Sequence, residues 1–557
     1  MAVAFGEVSL AEKSLSERLL STWMRLLWGC LGVGLSTAGL IFAFPPFDEP
    51  EMAYVALIPL LLWFIWVRPS WRSVALLTFI GGFAQWVVLL WWLRFFPDQV
   101  GLPRALGYLG VTALSAVVAL FNVSWALVAR WALADLKKTD LLRRLIIMIG
   151  LAATWVVLEW IRTWILSGFP WLTLSASQWQ RPLLLQVLPL TGAWGLSFVL
   201  VLFNLGAALY AWHLVQNRQR AWFRRFCPEF YLGLGGICFV LLLALDRPTT
   251  RETSLFSAGF IQPYVKPPDR WNPDNYAALR EDFELVAQYA RFDGAEVILW
   301  PEASTPLPAP GHPQAEAWLA GLSADLEIPI LLGNLVKTED ELDGEQWFNA
   351  MVMVTPTDGV LPTFAPKRHL VPFGEYVPNW FPFLDKLVPI EGQFTAGDRA
   401  IVQIFPVGQR RFRVGPLVCY EDLFPSLSRQ LVKKGVDFLY VATNDAWYGE
   451  EGAAYQHAAH SVLRAVETRR PVLRSGNAGW SGWIDERGQI RHVLLGADRT
   501  VYFQGADAVR IARNPSYVDV LTLYVRWGDW FVLVCGVSLF GLYWARKTGS
   551  EFVSDEV

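Results

Sequence analysis

The sequence predicts a polytopic α-helical membrane domain of eight transmembrane helices, with an extracytoplasmic α/β domain inserted before the last of them. Three observations predict it. Only 17% of the 557 residues are charged and 54% are hydrophobic, against about 25% charged in an average soluble protein. The apolar residues gather into eight long segments instead of spreading along the chain. Between the seventh and eighth segments the runs become short and strand-like and alternate with helical stretches, the pattern of a sheet covered by helices.

Taken in order, residues 1–22 form a polar, helix-prone arm (Glu12-Lys13, Glu17-Arg18) without the apolar core of a signal peptide. Apolar segments follow at roughly 23–44, 52–67, 73–93, 105–129, 145–166, 184–212 and 229–246, with an eighth at 527–545. Each is near the ~17–25 residues that cross a bilayer, the second being short. These set the expected division: 1–22 a cytoplasmic arm, 23–246 a transmembrane domain, 247–526 a catalytic domain, 527–545 the last helix and 546–557 a cytoplasmic tail.

Loop charge orients the chain. Lys13, Arg18 and Arg25 precede or open the first segment, and Arg68 and Arg72 join the second to the third. Arg130, Lys137, Lys138, Arg143 and Arg144 join the fourth to the fifth; Arg218, Arg220, Arg224 and Arg225 join the sixth to the seventh; Arg546 and Lys547 follow the eighth. With eight spans all of these fall on one side, which the positive-inside rule makes the cytoplasm. The alternate loops are poorer in basic residues: 45–51 is acidic and 167–180 has none. The long connection is therefore expected outside the cytoplasm.

Within that connection, strand-like runs lie at 255–261, 295–300, 328–335, 350–355, 412–418, 436–443 and 471–475, with helical stretches at 276–290 and 456–468 between them. Residues 483–490 read as a hairpin turning at Gly488. At about 270 residues this is one large domain.

Candidate chemistry sits at the ends of these runs. In Gly415-Pro-Leu-Val-Cys419-Tyr420-Glu421-Asp-Leu-Phe424, an apolar strand ends at a cysteine, acidic residues follow at once, and helical composition follows at 426–434. Such a turn lifts a nucleophile out of the sheet, and a helix N-terminus behind it would favour the thiolate. A lone cysteine is more often a buried structural thiol. Upstream, however, a carboxylate closes another strand in Leu299-Trp-Pro-Glu302, and a lysine stands in Ala365-Pro-Lys367-Arg-His-Leu-Val-Pro-Phe-Gly-Glu375-Tyr. Glu302, Lys367 and Cys419 would supply a base, a cation and a nucleophile. The five cysteines and six histidines show no metal-ligand spacing, no Gly-rich phosphate loop stands out, and a net charge of −3 gives no footprint for nucleic acid. Neither metal nor cofactor is expected.

The pattern Trp-Pro-Glu302, Lys367 before His-Leu-Val-Pro-Phe-Gly-Glu375, and Cys419-Tyr420-Glu421 resembles the nitrilase superfamily, whose Glu-Lys-Cys triad sits on an αββα sandwich. Eight spans around such a domain resemble the apolipoprotein N-acyltransferase family of bacterial inner membranes. Further stretches fit: Gln262 to Trp271, Ser167-Gly-Phe-Pro-Trp171, Thr443-Asn444-Asp-Ala-Trp447-Tyr-Gly449, and Gln456-His457 ahead of Arg464-Ala-Val-Glu467. Pro366 before the lysine and Ser475-Gly-Asn-Ala-Gly479 depart from the pattern without touching the triad.

The resemblance implies transfer of an acyl chain from a membrane phospholipid to the N-terminal amine of a diacylglyceryl-cysteine on an apolipoprotein. It implies a thioester on Cys419, ping-pong order, a catalytic domain in the periplasm, a lipid bilayer around the helices and a functional monomer. Glu302 would be the general base, which calls for burial. Lys367 would stabilise the tetrahedral oxyanion together with the backbone N–H after the nucleophile. Glu375 would orient Lys367, and Tyr420 and Glu421 would support the nucleophile, although Glu421 as a simple helix cap reads as well. Trp171, Trp271, Asn444 and Trp447 are candidate lipid or substrate contacts; interfacial anchoring is the competing reading for any tryptophan in a chain with 29 of them.

Glu159 and Arg162, one turn apart in the fifth segment, are an expected intramembrane pair. The apolar stretch 379–390, with Trp380 and Phe381, reads as an arm that dips into the interface and gates lipid entry, or as a plug in the domain core. Two other functions remain open on residues alone: a membrane-tethered amidase with water as acceptor, and a non-catalytic lipid-binding scaffold or transporter.

Overall fold

The structure is a computed structural model that describes residues 23–554 except 135, 137, 138, 218–225, 247, 249, 341–343 and 379–393. The 379–390 stretch, with Trp380 and Phe381, therefore lies outside the described residues.

Among the described residues, six helices are long and apolar enough to cross a membrane: α1 (Trp23–Phe42), α2 (Pro50–Val67, opening as a 3-10 turn), α3 (Trp71–Leu89), α4 (Arg104–Ala132), α5 (Leu141–Ile161) and α6 (Ala193–Gln216). Helix α7 (Pro228–Leu243) is apolar but shorter, at 16 residues. The sixth segment differs from expectation. Its first residues fold as short turns, Leu184–Val187 and Leu188–Thr191, because Pro189 and then Gly192 at φ +69° interrupt the chain before α6 begins.

The next region alternates strands and helices: β1 (Thr253–Gln262), α8 (Tyr276–Phe292), β2 (Val297–Trp300), α9 (Pro313–Leu326), β3 (Ile330–Asp340), β4 (Gly344–Thr355), β5 (Gly359–Val360) and β6 (Ala365–Pro366). Then come β7 (Gln403–Val407), β8 (Arg410–Val418), α10 (Pro425–Lys433), β9 (Phe438–Thr443), α11 (Ala453–Thr468), β10 (Val472–Gly476), β11 (Gly482–Ile484), β12 (Ile490–Val493) and β13 (Gly505–Arg513), before the last helix α12 (Trp530–Ser554). One sheet runs β13-β1-β2-β3-β4-β5 with β6 beside β4, and the other runs β12-β11-β10-β9-β8-β7. The hairpin expected at 483–490 is β11-β12, turning at Gly488 with φ +81°.

Side-chain alternation explains the layers. Along β2, Val297 and Leu299 face the second sheet while Ile298 and Trp300 face α8 and α9. Along β9, Phe438, Tyr440 and Ala442 face the first sheet, while Leu439 and Val441 join the core with α10 and α11. A strand apolar on both faces must be covered on both, and the result is an αββα sandwich. Phe256, Phe405, Phe412 and Phe438 interlock between the sheets with ring centroids 5.0–5.9 Å apart.

The outer layer of α10 and α11 is continuous with the apolar core of the membrane helices. Three polar devices fix the junction. Gln456 on α11 donates to the carbonyls of Pro45 (2.8 Å) and Leu89 (3.0 Å) and accepts from Trp92 Nε1 and Trp171 Nε1. The loop after α5 accepts throughout: its Ser167 carbonyl from His369 Nε2 (2.9 Å), its Ser167 Oγ from the Tyr376 hydroxyl (2.8 Å) and its Gly168 carbonyl from the Tyr420 hydroxyl (3.0 Å). Asp529, just before α12, accepts from Arg429 on α10, Trp194 on α6 and Tyr524.

Candidate active site

Strand β8 ends at Val418, and Cys419 opens a five-residue 3-10 turn, Cys419–Leu423, with φ +51°. A left-handed conformation at a non-glycine residue costs of order 1–3 kcal/mol and persists only when its surroundings enforce it. Glu421 is one enforcer. Its Oε2 accepts from Val418 N and its Oε1 from Arg368 N, both at 2.8 Å, so one carboxylate ties the nucleophile turn to the lysine loop. The helix expected at 426–434 is α10, Pro425–Lys433, and the 3-10 turn Cys419–Leu423 stands between it and the thiol. Burial pushes the Cys419 thiol well above its ordinary range, Glu302 pushes it the same way, and Lys367 opposes both. Burial and Glu302 thus favour the thiol, against the helix N-terminus that was expected to favour the thiolate.

Glu302 follows β2 and Lys367 follows β6, and each is placed by sheet register. Strand β6 pairs with β4 so that Lys367 N donates to the Asn349 carbonyl at 2.8 Å. Glu302 N reaches the Thr443 carbonyl at the end of β9, across from the first sheet. Lys367 Nζ then lies 2.8 Å from Glu375 Oε1 and 3.3 Å from Glu302 Oε1, with its side chain 1% exposed. Glu375 Oε2 also accepts from Val371 N at 2.7 Å. Burial pulls the ammonium down, but Glu375, Glu302 and Cys419 together hold it well above the ordinary lysine range. It stays charged.

Several participants were not singled out from the sequence. Asn349 Nδ2 donates to Glu302 Oε1 and to Glu375 Oε1, each at 2.7 Å. Arg270, fully buried, donates from Nη1 to the carbonyls of Glu302 (2.9 Å) and Ala303 and fixes the chain that carries the base. Both contacts to the Glu302 carboxylate fall on Oε1, and among the described residues no hydrogen bond occupies Oε2. Asn349 is an amide set against the apolar second half of β4, and Arg270 a cation soon after two prolines; those are the signals that could have found them.

The remaining predicted residues divide. Tyr420 packs its ring on Phe424 (5.1 Å) and His369 (5.9 Å). Trp171 is buried, stacked near Phe169, Trp92, His457 and His460, so it forms a wall of the junction and not a lipid-facing anchor. Trp447 is half-buried against Phe96. Asn444 accepts from Ala446 N and from Asn477 Nδ2, which makes it the holder of the turn after β9. Trp271 is 40% exposed; its neighbour Arg270 is the residue turned to Glu302. Glu159 and Arg162 do not pair directly: Glu159 accepts from Leu174 N and Trp155 Nε1, while Arg162 donates to the Trp171 carbonyl. Both brace the loop after α5, which meets His369, Tyr376 and Tyr420. Among the described residues no cluster of metal-ligating side chains occurs.

A buried thiol, a carboxylate with one oxygen uncommitted among the described residues and an ammonium held charged by two carboxylates together suit acyl transfer through the thiol. Comparison with known proteins agrees with this chemistry. Residues 36–206 match the family described as apolipoprotein N-acyltransferase N-terminal domain, and residues 262–501 match carbon-nitrogen hydrolase. The apolipoprotein N-acyltransferase of Geobacter metallireducens is 30% identical over 515 residues, covering 90% of this chain and 92% of its own. That of Methylococcus capsulatus is 29% identical over 525 residues, covering 92% and 95%. That of Rickettsia prowazekii is 25% identical over 523 residues, covering 92% and 97%.

Proposed function

This chain belongs to the apolipoprotein N-acyltransferase family, and from that premise we propose that it moves an acyl chain from a membrane phospholipid to the N-terminal amine of a diacylglyceryl-cysteine through a thioester on Cys419. The observation that carries the reading is the position of Lys367 Nζ, between Glu302 and Glu375 and beside a buried thiol.

In the first half-reaction Cys419 Sγ attacks the ester carbonyl of the phospholipid while its proton passes to Glu302 Oε2. The oxyanion that forms is met by Lys367 Nζ and the Tyr420 backbone N–H; losing one such donor costs about 100- to 1000-fold. As the carbon–oxygen bond breaks, the departing oxygen of the lysophospholipid takes the proton from Glu302, leaving the thioester. In the second half-reaction the lipoprotein amine attacks that thioester and gives its proton to Glu302. Collapse expels the Cys419 sulfur, which recovers the proton, and the amide leaves. A thiol that is protonated at rest and discharged only during attack suits a site that must hold off water until a lipid arrives.

The same reading places α7 and α12 in the bilayer as the seventh and eighth spans, both termini in the cytoplasm and residues 247–526 in the periplasm. The basic loops support it, and so does the continuity of α11 with the membrane helices. A single chain carries the whole site.

The test is the intact mass of the purified protein after incubation with phospholipid, beside Cys419→Ala. A hydroxylamine-labile adduct on Cys419 that disappears when a lipopeptide amine is added is the expected result. No adduct in a folded preparation that cleaves a small amide would replace this reading with a membrane-tethered amidase.

A further inference from the structure

Beneath the nucleophile turn lies a closed set of four buried charges that the reaction scheme does not use. His457, on α11, has both ring nitrogens on carboxylates: Nδ1 is 2.9 Å from Asp445 Oδ1 and Nε2 is 2.9 Å from Asp422 Oδ1. Arg474, on β10, meets the other oxygen of each, Asp422 Oδ2 at 3.0 Å and Asp445 Oδ2 at 3.2 Å. The Ser461 hydroxyl donates to Asp422 as well. The side chains of these four charged residues are 0–4% exposed. A carboxylate only accepts, so an imidazole with a carboxylate at each nitrogen donates from both and carries a proton on both. Two anions then balance two cations, which is what makes such burial tolerable.

The set joins four elements at the point where Cys419 must be held. Asp422 belongs to the 3-10 turn that Cys419 opens, and Asp445 to the turn after β9, next to Thr443 and Asn444. His457 Nε2 also lies 3.3 Å from the Cys419 carbonyl oxygen. That carbonyl and the Tyr420 N–H share one rigid peptide plane and point in opposite directions. A donor that fixes the carbonyl therefore fixes the direction of the N–H.

We propose that protonated His457, clamped by Asp422 and Asp445, is a positioning residue that holds the Cys419–Tyr420 peptide so that the Tyr420 N–H faces the developing oxyanion. It touches neither lipid nor sulfur and acts through that peptide. Arg474 holds the two carboxylates in register, and the left-handed Cys419 is kept in place from below by this set and from above by Glu421. The inference rests on the acyl-transfer reading, because it concerns the oxyanion donor of that reaction.

The experiment uses the full-length protein in detergent or nanodiscs and compares wild type with His457→Gln. Two rates are read: thioester formation from phospholipid, and alkylation of Cys419 by a small haloacetamide, mapped by peptide mass. Alkylation forms no oxyanion, so it does not need the Tyr420 N–H. Expected is a fall in the acylation rate of about 10- to 100-fold, smaller than the ~100- to 1000-fold for outright loss of an oxyanion donor because the N–H is misdirected and not removed, with the KM for phospholipid and the alkylation rate within a factor of about three of wild type. Wild-type acylation in the variant overturns the proposal, and so does an equal loss of acylation and alkylation, since that is general damage to the turn. If His457→Gln does not fold, Asp445→Asn replaces it, with the same split in the two rates expected and an unchanged acylation rate overturning the idea. Failure of wild type itself to form an adduct would instead count against the acyl-transfer reading, so the two failures are distinguishable.

Discussion

Glu375 Oε1 lies 2.8 Å from Lys367 Nζ, closer than Glu302 Oε1 at 3.3 Å, so the residue outside the triad is the lysine's nearer anionic partner. The nearer carboxylate aims the ammonium and leaves Glu302 free to exchange protons. Glu375→Gln keeps the shape and removes the charge. It is expected to slow thioester formation about 10- to 100-fold, a partial loss of the oxyanion donor, with little change in the KM for phospholipid. Single-turnover acylation measured by intact mass checks this; a rate equal to wild type would show that Glu302 alone orients the lysine.

Asn349 stands between the two carboxylates and donates to both from one nitrogen. Asn349→Ala leaves two buried anions with less compensation, and hydrogen bonds to charged groups contribute about 1.5–3 kcal/mol each. The expected cost is about 2–4 kcal/mol of stability together with a slower acylation step. Asn349→Asp adds a third carboxylate and is expected to be worse than Asn349→Ala in both respects. Thermal unfolding in detergent, followed beside acylation, ranks the two variants.

The sandwich was legible because its strands are short apolar runs with both faces buried, and that pattern survives without knowledge of the partners. Glu302 and Cys419 were legible for the same reason: each ends such a run. Asn349 was not, because its role depends on β4 pairing with β6, and pairing register is set by long-range packing. Arg270 was hidden beside Trp271, a residue type that draws attention in a membrane protein. The quartet around His457 draws on residues 422, 445, 457 and 474, whose convergence only the fold discloses. The misplaced start of α6 has a local cause, Pro189 and Gly192, that an apolar count overlooks. The burial that favours the Cys419 thiol was not legible, because it depends on what packs around the end of β8.

Stability should carry the signature of His457. Burial and Arg474 push its protonated form down, but Asp422 and Asp445 outweigh them and raise it above the ordinary histidine value. The charged groups around it are Asp422 in the nucleophile turn, Asp445 after β9, Arg474 on β10, and His460 and Arg464 on its own helix. A raised histidine stabilises fully below its unfolded value, near 6.5, and that contribution fades as pH rises through the folded value. The melting temperature of wild type is therefore expected to exceed that of His457→Gln most at about pH 6, with the gap narrowing as pH rises through the raised folded value. Asp422 has the opposite sign: His457 and Arg474 hold its carboxyl well below the usual range against the pull of burial, so its contribution is lost only in strong acid. A gap that widens with rising pH would mean that His457 is neutral in the folded protein.

Asp529 joins the last helix to both halves of the molecule. It accepts from Arg429 Nη1 on α10 at 3.0 Å, from Trp194 Nε1 on α6 at 3.0 Å and from the Tyr524 hydroxyl at 2.9 Å. Trp530 beside it donates to the Leu190 carbonyl at 2.8 Å, and α12 packs along α5. Asp529→Ala strands three donors, one of them the partly buried Arg429 cation. The side chain is 31% exposed, so solvent recovers part of the loss; the expected cost is about 2–3 kcal/mol. The active-site residues lie on other elements, so acylation per folded molecule should stay near wild type. Asp529→Asn keeps an acceptor for Trp194 and Tyr524 and loses only the charge opposite Arg429, so it should recover more than half of the lost stability. Thermal unfolding of the three proteins in one detergent decides between these roles. If Asp529→Asn is as unstable as Asp529→Ala, the ion pair with Arg429 is what holds α12 in place, and the two neutral hydrogen bonds contribute little.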